Sequence, residues 1–520
     1  MFSFVVFDSP ARVKDLAERA FLIGPDDVPI GGAVYAQGNA LICEKTTHEA
    51  SGLTTLFDVG ECGVCSLQTC LLPEREAPYL LSLELARHRI MLFLNKLEEW
   101  VNGDIPADEP AFAMFEKARS AFTRALSASR GADGAYTKEQ DELAREALCQ
   151  GICASERLAL LVADVMLRIR LDAAHGSGSS AASYGVGAVI RRDQSGAALQ
   201  RVVRDTFDFV CMPMRWTALE PEEGEYSFTK TDKWVEWAVR DAKLPVHAGP
   251  LIDFRAGRTP EWLHIWENDY DTLREVCFEH LKRVVTRYRK AVSRWVVCSG
   301  LHLNDSFPLT LEQLMDLTRL CVLVVKKLQP SSEVVVEIDQ PFGEHYATND
   351  RSAPPLLYAE MAHQQGVDID AFGLRIQMGD GGAGRSVRDM MRLSAMLDTY
   401  AMFDRPLAVT ALGAPSGSST GCERAGAWRK AWSGDAQAEW IAEALTICLS
   451  KPFVRSVCWQ ELYDPPGATT SLEQPLGGLI GTDGKPKPGL ARIARMRQMM
   501  RERRTPLGLG GSLPEPAGSA

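Results

Sequence analysis

The stretch Arg294-Trp295-Val296-Val297-Cys298-Ser299-Gly300 decides the fold. It is a short apolar run rich in β-branched residues, closed by a small residue and a glycine. Helical periodicity precedes it from Asp271 to Arg289 and follows it from Thr310 to Leu328. A buried strand between two helices is the repeating unit of a parallel sheet. In such sheets ligands are handled just beyond the carboxyl ends of the strands. That places Ser299, Gly300, Leu301 and His302 at the mouth of a site, and none of the four is a carboxylate.

The same alternation extends in both directions. Strands are expected at Tyr184–Ile190, Phe207–Cys211, Val246–Ile252, Trp295–Cys298, Glu333–Ile338, Ala371–Ile376, Pro406–Thr410 and Val454–Trp459. Helical patterns lie between them, and Pro488–Arg501 closes the series. Eight strand–helix units over residues 183–502 predict a (β/α)8 TIM barrel. The rival, a doubly wound open sheet, needs a glycine-rich phosphate turn after an early strand. Here Gly185-Val186-Gly187 falls inside a strand.

Upstream, the pattern is different. Residues 1–75 read as a β-rich N-terminal domain of short strands separated by Gly, Pro and Asp. Residues 76–175 turn helical and are expected to pack on their neighbours, in three helices with a break near Gly151 in the last. Residues 176–183 form a Gly/Ser/Ala linker, and the Pro/Gly/Ser-rich tail 503–520 is expected to be disordered.

Composition narrows the function. The chain has 520 residues, enough for two or three domains, and a formal charge of −11, which argues against nucleic acid or an anionic membrane as its partner. Met1 to Pro10 lacks the basic start and apolar core of a signal peptide, and no apolar run is long enough to span a bilayer. The cysteines number thirteen, an odd count, and sit mostly in apolar contexts, which predicts reduced thiols and a cytoplasmic protein. Cys43, Cys62, Cys65 and Cys70 could supply a four-thiolate zinc site, but with a single CxxC the preferred reading is small buried residues of a β layer. His302, His345 and His363 lack metal-ligand spacing, so neither metal nor cofactor is expected.

Several stretches of the barrel region resemble glycoside hydrolase family 10, the endo-β-1,4-xylanase barrels. Phe209–Phe228 resembles the second-strand signature, and Thr259-Pro260-Glu261-Trp262-Leu263 the close of the third loop. Trp295-Val296-Val297 resembles the fourth strand, and Lys485-Pro486-Lys487-Pro488 the element before the last helix. The resemblance implies two glutamates, an acid/base and a nucleophile roughly 5–5.5 Å apart. At the corresponding positions this chain has Gly300 and Ala411. Neither side chain can move a proton or stabilise an oxocarbenium ion. The sugar-holding positions are altered too: Met212 and Arg215 replace Asn and Lys, Gln377 replaces His, while Trp216 and Trp459 are kept.

Carboxylates still ring the expected mouth. Asp253, Asp339, Glu344, Asp380, Glu461 and Asp464 lie at or beyond strand ends, with Arg215, Arg255, Arg375, His302 and His345 on the same face. Trp216, Trp428, Trp432, Trp459 and Tyr463 offer aromatic planes for sugar rings. Two readings follow. One is a non-catalytic saccharide-binding pseudoenzyme, with Arg215, Trp216, His302, Gln377, Trp459, Glu461 and Tyr463 lining the ligand. The other is an active O-glycosyl hydrolase that uses Glu461 with Asp253 or Asp339.

Overall fold

The computed structural model describes the whole chain apart from residues 101–104, 107, 132, 177–184, 192, 194–195, 350, 383, 419–423, 465–473 and 510–520. Of the expected linker, Gly176 ends a helix and residues 177–183 fall outside the described residues, as does most of the expected tail.

The amino-terminal strands are β1 (Phe2–Val5), β2 (Phe21–Ile23), β3 (Pro29–Ile30), β4 (Gly32–Gln37), β5 (Ala40–Lys45), β6 (Gly52–Asp58), β7 (Gly63–Gln68) and β8 (Tyr79–Leu80). They form one sheet in the order β4-β5-β1-β8 and part of a second, β7-β6-β2-β3. A helix not expected from the β-like pattern, α1 (Pro10–Glu18), sits among them. Ser9 accepts a hydrogen bond from the Arg12 amide, proline occupies the first turn, and Val13 and Ala17 bury one face. These local signals outweigh the flanking strand pattern.

Three long helices follow: α2 (Leu81–Trp100), α3 (Pro110–Ser127) and α4 (Lys138–Gly176). The last runs unbroken for 39 residues. The expected break at Gly151 does not occur, because that glycine serves a close helix crossing. A Cβ there would stand 2.9 Å from the Arg89 Cγ and 3.9 Å from the Ala118 Cβ.

The barrel strands are β9 (Gly185–Val189), β10 (Phe209–Met212), β11 (Val246–Ala248), β12 (Ile252–Asp253), β13 (Val292–Ser299), β14 (Glu333–Ile338), β15 (Ala371–Gln377), β16 (Leu407–Gly413) and, after the short β17 (Ala427–Trp428), β18 (Val454–Trp459). All pair in parallel in chain order, and β18 returns to β9 through Ser456↔Gly185 to Trp459↔Ala188, closing the ring. This is the expected (β/α)8 barrel. Its third stave is split, because Gly249 and Pro250 interrupt it and a proline has no N–H to give to a ladder. The surrounding helices are α5 (Ala197–Thr206), α6 (Trp216–Leu219), α7 (Thr229–Glu236), α8 (Tyr270–Tyr288), α9 (Leu311–Leu328), α10 (Pro355–Gln364), α11 (Met390–Ala401), α12 (Gly434–Ser450) and α13 (Pro488–Arg501). Among the described residues no helix is long and apolar enough to cross a membrane.

The amino-terminal part and the barrel share one apolar core that runs from Phe2 to Met500. Strand β17, from a barrel loop, joins β7 edge to edge (Ala427↔Val64, Trp428↔Gly63) and completes the second sheet as a fifth strand. Polar clamps reinforce the seam. Arg89 on α2 grips Asp389 through two bonds of 2.9 and 2.6 Å, with both side chains almost fully buried. Asp389 also caps α11 by accepting from the Met391 and Arg392 amides, and Glu156 on α4 accepts from the Met390 amide.

Replacing Arg89 with alanine would strand a buried carboxylate. The expected cost is about 3–5 kcal/mol, read as a lower urea midpoint for the full chain. Arg119→Ala, which removes an exposed partner of Glu116 on α3, is expected to leave that midpoint unmoved.

Candidate functional site

A cavity of about 60 Å³ lies inside the barrel, from Arg294 near the amino end of β13 to Asp253 at the end of β12 and Arg258 beyond it. Five arginines line it, Arg215, Arg255, Arg258, Arg294 and Arg375, against two carboxylates, Asp253 and Glu337. A water needs about 10–15 Å³ of such space, so the cavity takes a few waters or one small charged group, not a pyranose ring.

Arg255 organises the mouth. Its Nε and Nη2 donate to the two Asp253 oxygens at 2.7 and 2.6 Å, and its Nη1 donates to Asp339 Oδ2 at 2.8 Å. The stem of the same side chain lies over Gly300. A Cβ on that glycine would stand 2.7 Å from Arg255 Cγ and 3.0 Å from its Cδ, and the residue has φ of +58°. The space beside position 300 is therefore occupied by an arginine. Ala411, fully buried, pairs with Arg375 in the β15–β16 ladder.

Arg375 continues the network. Its Nη1 lies 3.4 Å from Glu337 Oε1 and its Nε 3.6 Å from Asp339 Oδ2. Glu337 also accepts a short hydrogen bond from the Ser299 hydroxyl. Burial alone would raise the carboxyl pKa of Asp253 and Asp339. The guanidinium of Arg255 outweighs it in both and, for Asp339, Arg375 adds to this, so both are held below the ordinary carboxylate range. Both stay ionised and act as acceptors.

Arg258 differs from its neighbours. Its side chain is buried, and among the described residues its Nε has no hydrogen-bond partner and its guanidinium forms no ion pair. Burial first, then the charges of Arg215 and Arg255, push its pKa down to about 9. It is a cation at neutral pH, and Asp253, whose charge favours it, is already gripped by Arg255.

Of the residues expected from sequence, Arg215 and Asp253 line this cavity, and Asp339 joins through Arg255. Gln377 stands behind Arg375, its Oε1 3.5 Å from the Arg375 Nη2. His302 is buried and its Nε2–H donates to the Asp339 carbonyl at 2.9 Å. Burial pushes its pKa down to about 4, so the ring is neutral at physiological pH. Glu461 is buried, 4.0 Å from Arg191 Nη1.

The aromatic residues do not converge on the cavity. Trp216 is buried, stacked on His280 at 4.0 Å, and donates to Glu220 at 2.8 Å. Trp459 is buried and donates to the Gly477 carbonyl at 3.1 Å. Trp428 and Trp432 are buried too, the first donating to Glu156 at 2.9 Å. Tyr463 is half-buried in a bridge to Ile480. None of these rings lines the cavity between the barrel strands. Beyond the cavity, the carboxylates pair one by one: Asp380 with Arg385, Glu344 with Arg388 and Asp464 with Lys487.

Two important residues were not singled out from the sequence. Arg258 sits in a polar loop, where an arginine is unremarked. Glu337 stands between Val334-Val335-Val336 and Ile338, and a lone acid in a β-branched run is the signal that could have found it.

Gly300→Ala is expected to cost about 2–4 kcal/mol, from a left-handed backbone and from contact with Arg255. Gly257→Ala, at a φ of +74° with open space around its Cβ, should cost only about 1–2 kcal/mol. Equal midpoints for the two variants in chemical unfolding would show that Arg255 does not fill the space beside Gly300.

Residues 178–309 match the family described as glycosyl hydrolase family 10. An endo-1,4-beta-xylanase B of Thermotoga neapolitana is 23% identical over 252 residues, 47% of this chain and 66% of that protein. An endo-1,4-beta-xylanase B of Humicola insolens is 27% identical over 100 residues, 19% of this chain and 27% of that protein. This chain thus spans just under two thirds of one curated relative and about a quarter of the other. The crystal structure of xylanase 10B from Thermotoga maritima superposes with a TM-score of 0.46 at 19% identity, over 61% of this chain and 96% of that one.

Proposed function

We propose, for a chain whose barrel is of the glycosyl hydrolase family 10 kind, that it binds a saccharide without cleaving it and that this saccharide carries a carboxylate. The carrying observation is Arg258, a buried guanidinium in the cavity wall with no ion-pair partner among the described residues. A buried, unmatched charge is costly unless something neutralises it. The cavity suits a carboxylate group in size and is lined by more cations than anions. An acidic sugar, anchored there by its carboxylate with its ring outside, satisfies both conditions.

The absence of cleavage rests on proton supply. A glycosidase needs one carboxyl group kept protonated near neutral pH by a raised pKa. Asp253 and Asp339 are pushed the other way by Arg255. The positions that the resemblance assigns to the acid/base and nucleophile are Gly300 and Ala411, and the first is covered by the Arg255 stem. The rival reading pairs Glu461 with Asp253 or Asp339. It requires one of two arginine-bound carboxylates to act as the acid or as a mobile nucleophile, and their ion pairs oppose both roles.

Calorimetry with neutral xylo-oligosaccharides and with their glucuronic-acid-substituted counterparts tests the reading. The acidic set is expected to bind at least about tenfold more tightly, the worth of one charge-assisted hydrogen bond. Arg258→Met should erase that preference. Below about pH 9 the preference should be flat, because Arg258 is already protonated, and it should decline as pH rises through that value. Release of reducing ends by the purified protein, or equal affinity for the two sets, would refute the proposal.

A further inference from the structure

Three thiols meet where the amino-terminal sheet touches the long helix. Cys149 and Cys153 lie one turn apart on α4, so their side chains leave the same face. Cys62 closes the short 3-10 turn Gly60–Cys62 that leads into β7. The Cys62 sulfur is 3.8 Å from that of Cys149 and 3.1 Å from that of Cys153, and all three lie within 4.8 Å of one another. Among the described residues this is the only group of three such side chains close enough to share a metal ion.

The grouping differs from the one suggested by sequence spacing. Cys43 is buried within β5, and Cys65 is buried in β7 with its thiol directed at the Cys62 carbonyl. Within the CxxC only Cys62 joins the cluster, and its companions come from some ninety residues further along, |i−j| of 87 and 91.

We infer that Cys62, Cys149 and Cys153 form a binding site for a soft divalent cation of the zinc class, which staples the amino-terminal sheet to α4. Zinc bound to thiolate at about 2.3 Å in a tetrahedron sets its sulfurs about 3.8 Å apart. The Cys62–Cys149 separation has that value, and the Cys62–Cys153 pair needs only a small side-chain rotation outward. The fourth position faces Glu61, an exposed carboxylate whose Oε1 lies 3.6 Å from the Cys149 sulfur. Binding displaces three thiol protons to solvent and leaves three thiolates on the ion. The resulting negative charge lies near Arg429, whose amide donates to the Cys62 carbonyl at 3.1 Å and whose guanidinium is fixed between Glu156 and Glu443.

The same closeness suits a disulfide between Cys62 and Cys153, so the experiment separates the two chemistries. The full chain is purified under reducing conditions, equilibrated with zinc and desalted, and its metal is counted by mass spectrometry. One zinc per chain is expected, falling to none in Cys149→Ser/Cys153→Ser and unchanged in Cys70→Ser. Cobalt(II) in place of zinc should give strong thiolate-to-metal absorption in the wild type and lose it in the double variant. That readout does not depend on any activity. Circular dichroism checks that the double variant is folded; should it unfold, the cobalt spectrum of single Cys149→Ser decides, with weakened charge-transfer bands expected. Zinc retained by the double variant, no zinc on the reduced wild type, or a Cys62–Cys153 disulfide on metal-free protein by non-reducing peptide mapping would overturn the site.

Discussion

The hold of Arg255 on Asp253 and Asp339 is the contact on which the barrel mouth depends. Two of its three hydrogen bonds form a planar fork on one carboxylate, the geometry a guanidinium fits best. The third reaches across to the loop after β14. Fixing the head fixes the stem, and the stem lies against Gly300. A single side chain thus ties two strand ends together, keeps two carboxyls ionised and fills the space beside the residue at the end of β13. Reversing any one of these effects would disturb the other two. A glutamate placed at position 300 would meet the arginine before it met a ligand.

That coupling explains why the fold was more legible in the sequence than the site. The strands β14 and β18 announce themselves as β-branched runs between helical periods, and both end where the pattern ends. Strand β13 begins three residues earlier than the apolar run, because Val292-Ser293-Arg294 alternates and carries Arg294 into the barrel. The sequence predicts strand three as one piece and the structure has two, since the hydrophobic pattern continues across Pro250 while the hydrogen-bond ladder does not. Helix α1 is short and lies between strand-like stretches, so its serine cap and first-turn proline are easily passed over although they decide the local structure. Gly151 points in the opposite direction: glycine is an entropic cost to a helix, but here a Cβ would press on the Arg89 stem.

At the site, the sequence marked which residues reach the mouth but not which way they face. Trp216 follows β10 and Trp459 ends β18, the right places for sugar-stacking rings, yet both indole N–H groups are engaged inside the protein. Nothing in a linear pattern tells an indole that faces a cleft from one that faces its supporting helices. The carboxylates pose the same difficulty. Strand position puts six at the rim, and all six, Asp253, Asp339, Asp380, Glu344, Asp464 and Glu461, face a basic partner. The charge that matters is instead Arg258, which has no such partner among the described residues. Its distinction lies in three-dimensional company, Arg215 and Arg255, and not in any spacing along the chain.

The amino-terminal part is best understood as an extension of the barrel wall. Its second sheet borrows β17 from the loop after β16, so that sheet is incomplete without the barrel. In return, α4 supplies Glu156, which holds the Trp428 indole, the Arg429 guanidinium and the amide of Met390 at the start of α11. One carboxylate therefore positions the borrowed strand and caps a barrel helix together. Arg429 extends the contact to Glu443 on α12, whose pKa is raised to about 7 because burial outweighs the arginine. The barrel loop, the sheet edge and the three-thiol cluster meet within this one seam, where Arg429 lies between Glu156 and the Cys62 backbone. Arg170, further along α4, donates to the Leu449, Lys451 and Val454 carbonyls, so the same helix also holds the end of α12 and the start of β18. The site and the seam are linked by packing, while their charges are balanced separately: arginines in excess at the mouth, and one arginine between two glutamates at the seam.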